Sequence, residues 1–265
     1  MAVMPAAQRS IGTLYGIEGR DPQAPSDVAI VMCSVLRPSL LRAVESVFRQ
    51  DLRGTLQLLI GVDRAQGPLE PLLALLRRRP AHVGALLLDP GYSTSRRHGG
   101  LHHAPDGGAT RTLLSYLANS RLLAYLDDDN WWLPNHLSSL AAAVRGFDWA
   151  YSLRAFVDAR SGKVLCVDHW DSAGPGRGLH RRSLGGLVDV NCLMIDKTRA
   201  EDVLGQWALR MPGWRAAADR RVFLHLRTRH PVAWTGLATV RYTIRPTFHL
   251  WPRIRRHLAR GAAAG

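Results

Sequence analysis

The regular alternation of apolar runs with helical segments over residues 27–146 constrains the fold more strongly than any other feature of the chain. Four short runs, apolar without alternation, are predicted as buried strands: VAIVMCSV, TLQLLIGVD, VGALLLD and RLLAYLD. Segments with apolar residues at helical spacing lie between successive runs and after the last one. This pattern is typical of an α/β fold in which helices flank a mainly parallel, Rossmann-like central sheet.

Beyond residue 147 the pattern changes. WAYSLRAFVDARSGKVLCVD is predicted as a hairpin around residues 160–162, GGLVDVNCLMID and AWTGLATVRYTI as strands, and WRAAADRRVFLHLRTR as a helix. We expect a smaller β portion in this half. The chain is therefore divided into a flexible N-terminal extension (1–26), a domain over 27–246 with halves 27–146 and 147–246, and a basic tail (247–265).

Carboxylates follow two of the predicted parallel strands. Asp63 ends the second strand, and Asp127, Asp128 and Asp129 end the fourth. Three adjacent carboxylates repel one another unless a positive charge is near. They form either a solvated loop or a site for a hard cation, which binds through oxygen ligands. Because ligands bind beyond the carboxyl ends of such strands, two acidic groups on one rim favour the cation site.

The charge of the chain suggests an anionic partner. Lysine and arginine number 35 against 21 acidic residues, a net charge of +14. Nucleic acid, a membrane surface or a phosphorylated substrate would suit this charge, and so would a solubility effect of composition alone. No recognisable nucleic-acid-binding motif accompanies the charge, and the acid triplet would repel DNA, so nucleic acid is not the expected partner.

Three features predict a cytoplasmic protein. No apolar run is long enough to span a membrane, and the first residues lack the hydrophobic region of a secretory signal. Cys33, Cys166 and Cys192 are odd in number and widely spaced, which fits neither a disulfide framework nor a thiolate zinc site.

Several segments resemble the family 2 glycosyltransferases, which have a GT-A fold and use nucleotide-diphosphate sugars. The similarity is carried by VAIVMCSVLRPSLLRAVESVFRQ, LLIGVD, GATRTLLSYLANSRLLAYLDDDNWWLP and ADRRVFLHL, over roughly residues 27–146 and 186–245. The acid triplet followed by WLP is the most specific match and corresponds to the family's metal-binding DxD motif. The resemblance implies an inverting, metal-dependent transfer of one sugar, with UDP-sugar the favoured donor, to a glycan, lipid-linked or small-molecule hydroxyl acceptor.

The resemblance also assigns roles to the acid triplet. It implies that Asp129 binds a divalent cation, Mn²⁺ or Mg²⁺, directly. Asp127 or Asp128 would reach the metal through water or contact the ribose. Such an ion would neutralise the diphosphate leaving group as a Lewis acid.

The remaining donor contacts follow from the same resemblance. Asp63 corresponds to the residue that accepts a hydrogen bond from the nucleotide base, and Arg111 to the arginine between a loop and a helix. Cys33, Ser34 and Val35 take the place of the segment after the first strand, where their sequence departs from the family pattern. Without a Gln-x-x-Arg-Trp motif, addition of one sugar is expected rather than polymerisation.

On the acceptor side, Asp219 is the expected general base, although Ala218 stands where the family usually has an acidic residue. A plain helix-start acid is the alternative for Asp219. Trp131 or Trp132 either stacks on a sugar or nucleotide ring or packs in the core. His249 is a candidate contact for the diphosphate.

Two further segments leave alternatives open. His98, His102 and His103 form either a metal cluster or a mobile loop near the acceptor. HLWPRIRRHLARG suits a short interfacial helix on anionic lipid, limited by Pro252, which would place the protein at the inner face of a membrane. Besides glycosyl transfer, a basic nucleic-acid-binding protein and a non-catalytic domain that binds nucleotide sugar are the alternative functions.

Overall fold

Both halves of the chain contribute to one ten-stranded sheet in the computed structural model, which describes residues 11–103, 107–209 and 218–262. The strands are β1 (Gly12–Tyr15), β2 (Ser26–Ser34), β3 (Leu56–Val62), β4 (Val83–Leu88), β5 (Ser120–Tyr125), β6 (Trp131–Trp132), β7 (Trp149–Asp158), β8 (Val164–Val167), β9 (Gly174–Pro175), β10 (Gly186–Leu187), β11 (Leu193–Asp196) and β12 (Val232–Ile244). The helices are α1 (Ser39–Phe48), α2 (Glu70–Arg77), α3 (Gly108–Leu117), α4 (His136–Ala143), α5 (Ala218–Arg229) and α6 (Trp251–Ala262), with 3₁₀ segments at Arg96–His98, Val190–Cys192 and Glu201–Ala208.

The sheet has the order β1-β4-β3-β2-β5-β11-β7-β12-β6, and β8 pairs with β7. β4, β3, β2 and β5 are parallel, and β12 is parallel to β7. β11 joins the two parallel groups because it is antiparallel to both β5 and β7. The chain winds outward in opposite directions from β2, to β3 on one side and β5 on the other. This reversal opens a crevice at the carboxyl ends of these strands, as predicted.

The central strands are apolar on both faces because helices cover both sides of the sheet. Val28–Met32, Leu58–Ile60 and Leu123–Leu126 are all buried. On α1 the apolar residues Leu40, Val44 and Val47 are buried and pack into the same core, which explains their helical spacing. The predicted α/β fold is confirmed in this half, element by element.

One predicted strand of the second half is interrupted. The hairpin of β7 and β8 turns at residues 160–162, as expected, with Gly162 at a positive φ of 68°. GGLVDVNCLMID, however, is not one strand: β10 ends at Leu187 and β11 begins only at Leu193. Between them the Asp189 side chain accepts hydrogen bonds from Asn191 and starts a 3₁₀ turn. Local side-chain bonding to the backbone outcompetes the strand there.

Within the described residues, segments from both terminal regions pack against the sheet. β1 pairs antiparallel with the edge strand β4, so the extension predicted over 1–26 contains an ordered strand. In the tail, α6 has three turns, because Pro252 sits in its first turn, where a missing N–H costs little. Ile254 of α6 packs with Phe156 and Ile244. Among the described residues, no helix has the length and apolar character to cross a membrane, and membrane contact through the tail stays a prediction.

Candidate active site

A cleft of 530 Å³ lies at the carboxyl ends of β2, β3 and β5 and faces the start of α5. The residues predicted for donor binding, metal binding and base catalysis all line it: Cys33, Ser34, Val35, Asp63, Arg111, Asp127, Asp128, Asp129 and Asp219. Strand ends that are distant in sequence meet here because the parallel strands share one rim.

Asp128 holds the two central strand ends together. Its carboxylate accepts hydrogen bonds from Ser34 Oγ (2.7 Å) and Val35 N (3.3 Å), and Arg37 Nη1 lies 2.5 Å from its other oxygen. The side chain is almost fully buried. Because both oxygens have partners within the protein and the side chain is buried, Asp128 positions the loop, whereas the more exposed carboxylates of Asp127 and Asp129 face the cleft.

Asp127 sits in a mostly buried network. Arg111 Nη2 donates to one of its oxygens (2.8 Å) and Asn191 Nδ2 to the other (3.0 Å), while its backbone N–H donates to Asn191 Oδ1 (2.6 Å). Burial raises the pKa of Asp127 to about 7, against the opposing effect of Arg111, with Asp189 and Asp129 adding to the rise. An ionised Asp127 is therefore favoured when positive charge approaches it.

Asp129 is the most accessible of the three acids, with half of its side chain exposed. Its backbone carbonyl accepts from Thr243 Oγ1 (2.7 Å), which attaches the loop to β12. Partial burial raises the pKa of its carboxyl group, and the charge of Asp128 raises it further. Arg37 Nη1, 3.7 Å away, acts in the opposite direction.

The cleft carries more carboxylates than cations. Six aspartates line it, Asp63, Asp127, Asp128, Asp129, Asp189 and Asp219, together with three arginines, Arg37, Arg111 and Arg220. Raised pKa values at Asp127 and Asp129 are the electrostatic consequence of burial and like charge. A donor set of carboxylate oxygens with free coordination positions suits Mg²⁺ or Mn²⁺. The residues present therefore fit the divalent cation that the family resemblance implies.

Asp219 enters the cleft from the second residue of α5. Its Oδ1 accepts the backbone N–H of Arg220 (2.8 Å). Burial raises the pKa of Asp219 and Asp189 adds to the rise, while the Arg220 backbone and the Arg220 and Arg111 charges oppose it. A raised pKa makes this carboxylate a stronger base than an ordinary aspartate. Ala218, beside it, also lines the cleft.

The β3 side of the cleft adjoins a second cavity of 820 Å³, and His98 lines both. Asp63 Oδ1 accepts the backbone N–H of Thr94 (3.2 Å), which fixes the loop that forms this wall. Cys33 donates from Sγ to the Gly107 carbonyl (3.5 Å), and burial raises the pKa of its thiol to about 12. Cys33 is therefore a neutral wall residue and not a nucleophile.

Gly107 marks a position where the loop and β2 approach too closely for a side chain. Its φ is +72°, and a Cβ atom there would lie 2.9 Å from Cys33 Cβ. Only glycine satisfies both conditions at low cost.

Sequence reasoning missed the residues that support the acids from behind. Asp189 accepts from Asn191 Nδ2 (2.6 Å), which also binds Asp127, so a continuous network runs from Asp189 to the acid triplet. Arg154, fully buried, completes it by pairing with Asp189, Asp168 and Asp171. An arginine inside the apolar run of β7 was the available signal, since a buried arginine needs carboxylate partners.

Three residues that were predicted as candidate ligand contacts do not line the cleft. Trp132 is a core residue: it stacks on His136 and donates its indole N–H to the Asn191 carbonyl (2.9 Å). Trp131 packs under the Arg42 guanidinium. His249 is exposed in the turn before α6 and contacts Phe248. Neither the tryptophans nor His249 line the cleft, and the two indole rings instead contact Arg42 of α1 and His136 of α4.

The histidine-rich loop does not form the metal cluster that was one alternative for it. His98 Nδ1 lies 2.8 Å from Arg64 Nη1, at the mouth of the cleft. Within residues 11–103, 107–209 and 218–262, the ring nitrogens of His98, His102 and His103 are not gathered into a group that could hold an ion.

Comparison with known proteins gives a match in structure only. No protein-family model matches the sequence, and no curated protein matches it. The fold is similar to that of S. aureus TarS residues 1–349, with a TM-score of 0.57 and 10% sequence identity over 90% of this chain and 64% of that one.

A longer structure of S. aureus TarS has a TM-score of 0.57 at 10% identity, covering 88% of this chain and 39% of TarS. The complex of TarS 1–349 with UDP-GlcNAc gives 0.57 at 11% identity, over 88% of this chain and 65% of that one. The chain thus spans less than two thirds of each of these structures. The likeness confirms the fold predicted from the sequence, the GT-A architecture of a large α/β sheet with flanking helices.

Proposed function

We propose that this chain is an inverting, metal-dependent glycosyltransferase of the family 2 type, which moves one sugar from a UDP-sugar to a hydroxyl acceptor. The observation that carries the proposal is the meeting of Asp127, Asp129 and Asp219 in one cleft at the ligand-binding edge of the sheet. The choice of uridine nucleotide is supported by TarS, which shares the fold and has been crystallised with UDP-GlcNAc and with UDP.

The donor would be held between the two sides of the cleft. Asp63 has one carboxylate oxygen on the Thr94 amide, and the other can accept an N–H of the base. Asp129, with Asp127, would hold Mn²⁺ or Mg²⁺, which when bound supplies Lewis-acid neutralisation of the diphosphate. Arg37 and Arg220 line the same cleft and add positive charge where the leaving group separates.

Asp219 performs the proton transfer. Its carboxylate accepts the proton of the acceptor hydroxyl as that oxygen attacks the anomeric carbon. The bond from the anomeric carbon to the diphosphate oxygen breaks on the opposite face, so the anomeric configuration inverts. The acceptor is a glycan, a lipid-linked molecule or a small molecule with a free hydroxyl.

The donor site is tested by calorimetric titration of UDP and of GDP into the protein, with Mn²⁺ or Mg²⁺ and with EDTA. We expect UDP to bind only with the metal. Replacing Asp129 with asparagine should weaken this binding at least tenfold, because a carboxylate ligand becomes a neutral amide. Asp51→Asn, an exposed aspartate outside the cleft, is the matched control and should leave the affinity unchanged.

Three results would change the proposal. Failure of a folded protein to bind either nucleotide would contradict it. Binding of GDP alone would retain the transferase and replace the base. Tight, metal-dependent UDP binding without transfer or hydrolysis of any UDP-sugar would instead support a non-catalytic binding domain.

The pH profile of transfer provides a second test. Because burial and Asp189 raise the pKa of Asp219 above that of an ordinary aspartate, and the base acts only when deprotonated, kcat/KM should fall as the pH drops through this raised pKa. The acid limb should therefore lie at a higher pH than that of an ordinary aspartate. Steady-state kinetics from about pH 3 upward would measure it, and a profile flat down to the ordinary aspartate pKa of about 3.9 would exclude Asp219 as the base.

A further inference from the structure

A second cluster of metal-ligating side chains lies outside the cleft. Asp202, His225 and His230 place a carboxylate oxygen and two imidazole nitrogens within 4.8 Å of one another. We infer that these residues form a binding site for a transition-metal ion of the Zn²⁺ type that fastens the 3₁₀ segment Glu201–Ala208 to α5. This inference is independent of the proposed transferase activity and of the cation expected at Asp129.

The atoms that would coordinate the ion already converge. His225 Nε2 lies 2.7 Å from Asp202 Oδ2, and His230 Nε2 lies 2.9 Å from Asp202 Oδ1. The two rings are neighbours, with centroids 5.9 Å apart. Around a tetrahedral ion with ligands at about 2.0 to 2.2 Å, ligand atoms stand about 3.4 Å apart. Widening the two histidine–aspartate pairs by about 0.5 to 0.7 Å therefore brings them to the spacing that such an ion requires.

Asp148 supplies the second-layer carboxylate that commonly supports a histidine ligand in metal sites. Its Oδ2 lies 2.9 Å from His230 Nδ1, so that nitrogen carries the proton and Nε2 is turned toward Asp202. A carboxylate behind a histidine ligand fixes the ring and its tautomer, as in many zinc sites. Asp148 and both rings are largely buried, which limits their freedom, while Asp202 is half-exposed and leaves a path for the ion.

The ligand types decide the class of ion. Two imidazole nitrogens and one carboxylate suit Zn²⁺ and similar transition metals, whereas Mg²⁺ and Ca²⁺ prefer oxygen ligands alone. Three protein ligands leave one position of a tetrahedral ion for water. Arg229 Nη1, 3.9 Å from Asp202, is a competing cation, but its side chain is mostly exposed and free to turn into solvent.

This site lies apart from the cleft, since none of its three ligands lines the cleft. Asp148 immediately precedes β7, whose first residue, Trp149, pairs with Ile195. Ile195 in turn pairs with Leu123, the fourth of the six residues of β5, whereas Asp127 and Asp129 lie beyond the end of that strand. An ion here cannot take part in the donor site directly.

A bound ion would stabilise the folded protein and restrain α5. Asp202 lies in the 3₁₀ segment that follows β11, and His225 and His230 flank the last turn of α5. The bound ion would therefore cross-link this 3₁₀ segment to the end of α5. Cross-links of this kind stabilise by restricting the unfolded chain. Because α5 begins with Ala218 and Asp219, fastening its far end also restrains the helix that carries the proposed base.

The experiment is titration of Zn²⁺ into the full chain, expressed without a histidine tag and stripped with EDTA, with metal content and melting temperature as readouts. We expect one tightly held Zn²⁺ per chain and a melting temperature that rises on binding. His225→Gln and His230→Gln should each lower the affinity at least tenfold and abolish the rise. Asp148→Asn should lower it about 10- to 100-fold.

Two control variants isolate the site. His180→Gln is the match for His225→Gln, because each of these histidines pairs with one aspartate, and His180 with its partner Asp171 lies outside the cluster; it should leave Zn²⁺ binding unchanged. Asp129→Asn should leave it unchanged too. Absence of Zn²⁺ binding by the folded protein overturns the inference. So does binding that persists in both histidine variants, or that is lost in Asp129→Asn. If a histidine variant fails to fold, Asp202→Asn, at a half-exposed position, provides the same test.

Discussion

Replacing Asp219 with asparagine should lower kcat for sugar transfer by about 10²- to 10⁴-fold, the usual contribution of a general base. Asparagine keeps the size of the side chain and can still accept the Arg220 N–H, so the start of α5 should be preserved. What it removes is a group that can take up the acceptor proton. Initial rates with saturating UDP-sugar, measured on the wild type and the variant, give the change in kcat directly.

The alternative for Asp219 is an acid that merely stabilises the start of a helix through the backbone dipole. Glu70→Gln supplies the matched control, since Glu70 is the acidic residue in the first turn of α2. Both substitutions remove a carboxylate from a helix start, an effect on stability of about 0.3 to 1 kcal/mol. Only Asp219→Asn should reduce transfer. Equal rates for the wild type and Asp219→Asn, with UDP affinity unchanged, would assign the base to another residue.

The sequence predicted the first half of the molecule and the acids of the cleft well. In a parallel sheet the carboxyl end of each strand lies on one rim, so an apolar run followed by Asp63 or by Asp127–Asp129 fixes the position of these side chains without further information. Asp219 required the family resemblance, because nothing in a helix-start aspartate alone indicates which cleft it faces.

The parts that could not be predicted depend on contacts between distant segments. Asn191 lies in a segment that was predicted as a strand, and its two bonds to Asp127 arise only because a 3₁₀ turn replaces that strand. Trp132 follows the acids directly, and sequence alone does not indicate whether its ring faces the cleft or the core. The Asp202, His225 and His230 cluster is spread over two elements and a turn, with no spacing typical of a metal motif.

Arg154 is the other position where a large effect is expected, in this case on stability. Its guanidinium is the shared partner of Asp168, Asp171 and Asp189, and it stacks on Tyr242. Arg154→Met keeps much of the volume but leaves three largely buried carboxylates without their cation. Removal of one partner from a buried ion pair costs about 3 to 5 kcal/mol, so the free energy of unfolding should fall by at least that amount. Urea denaturation followed by circular dichroism measures it.

The same substitution also shows whether Arg154 supports the acids of the cleft or contributes only to the overall stability of the fold. Asp189 connects Arg154 to Asn191 and so to Asp127, and therefore Arg154→Met should weaken UDP binding in the fraction of protein that remains folded. Arg49→Met is the matched control, because Arg49 pairs with Glu45 on the exposed face of α1. Such a surface pair contributes about 0.5 kcal/mol or less. A loss of stability at Arg154 no larger than at Arg49 would contradict the support role of its ion pairs, and the network would then not restrain the acids of the cleft.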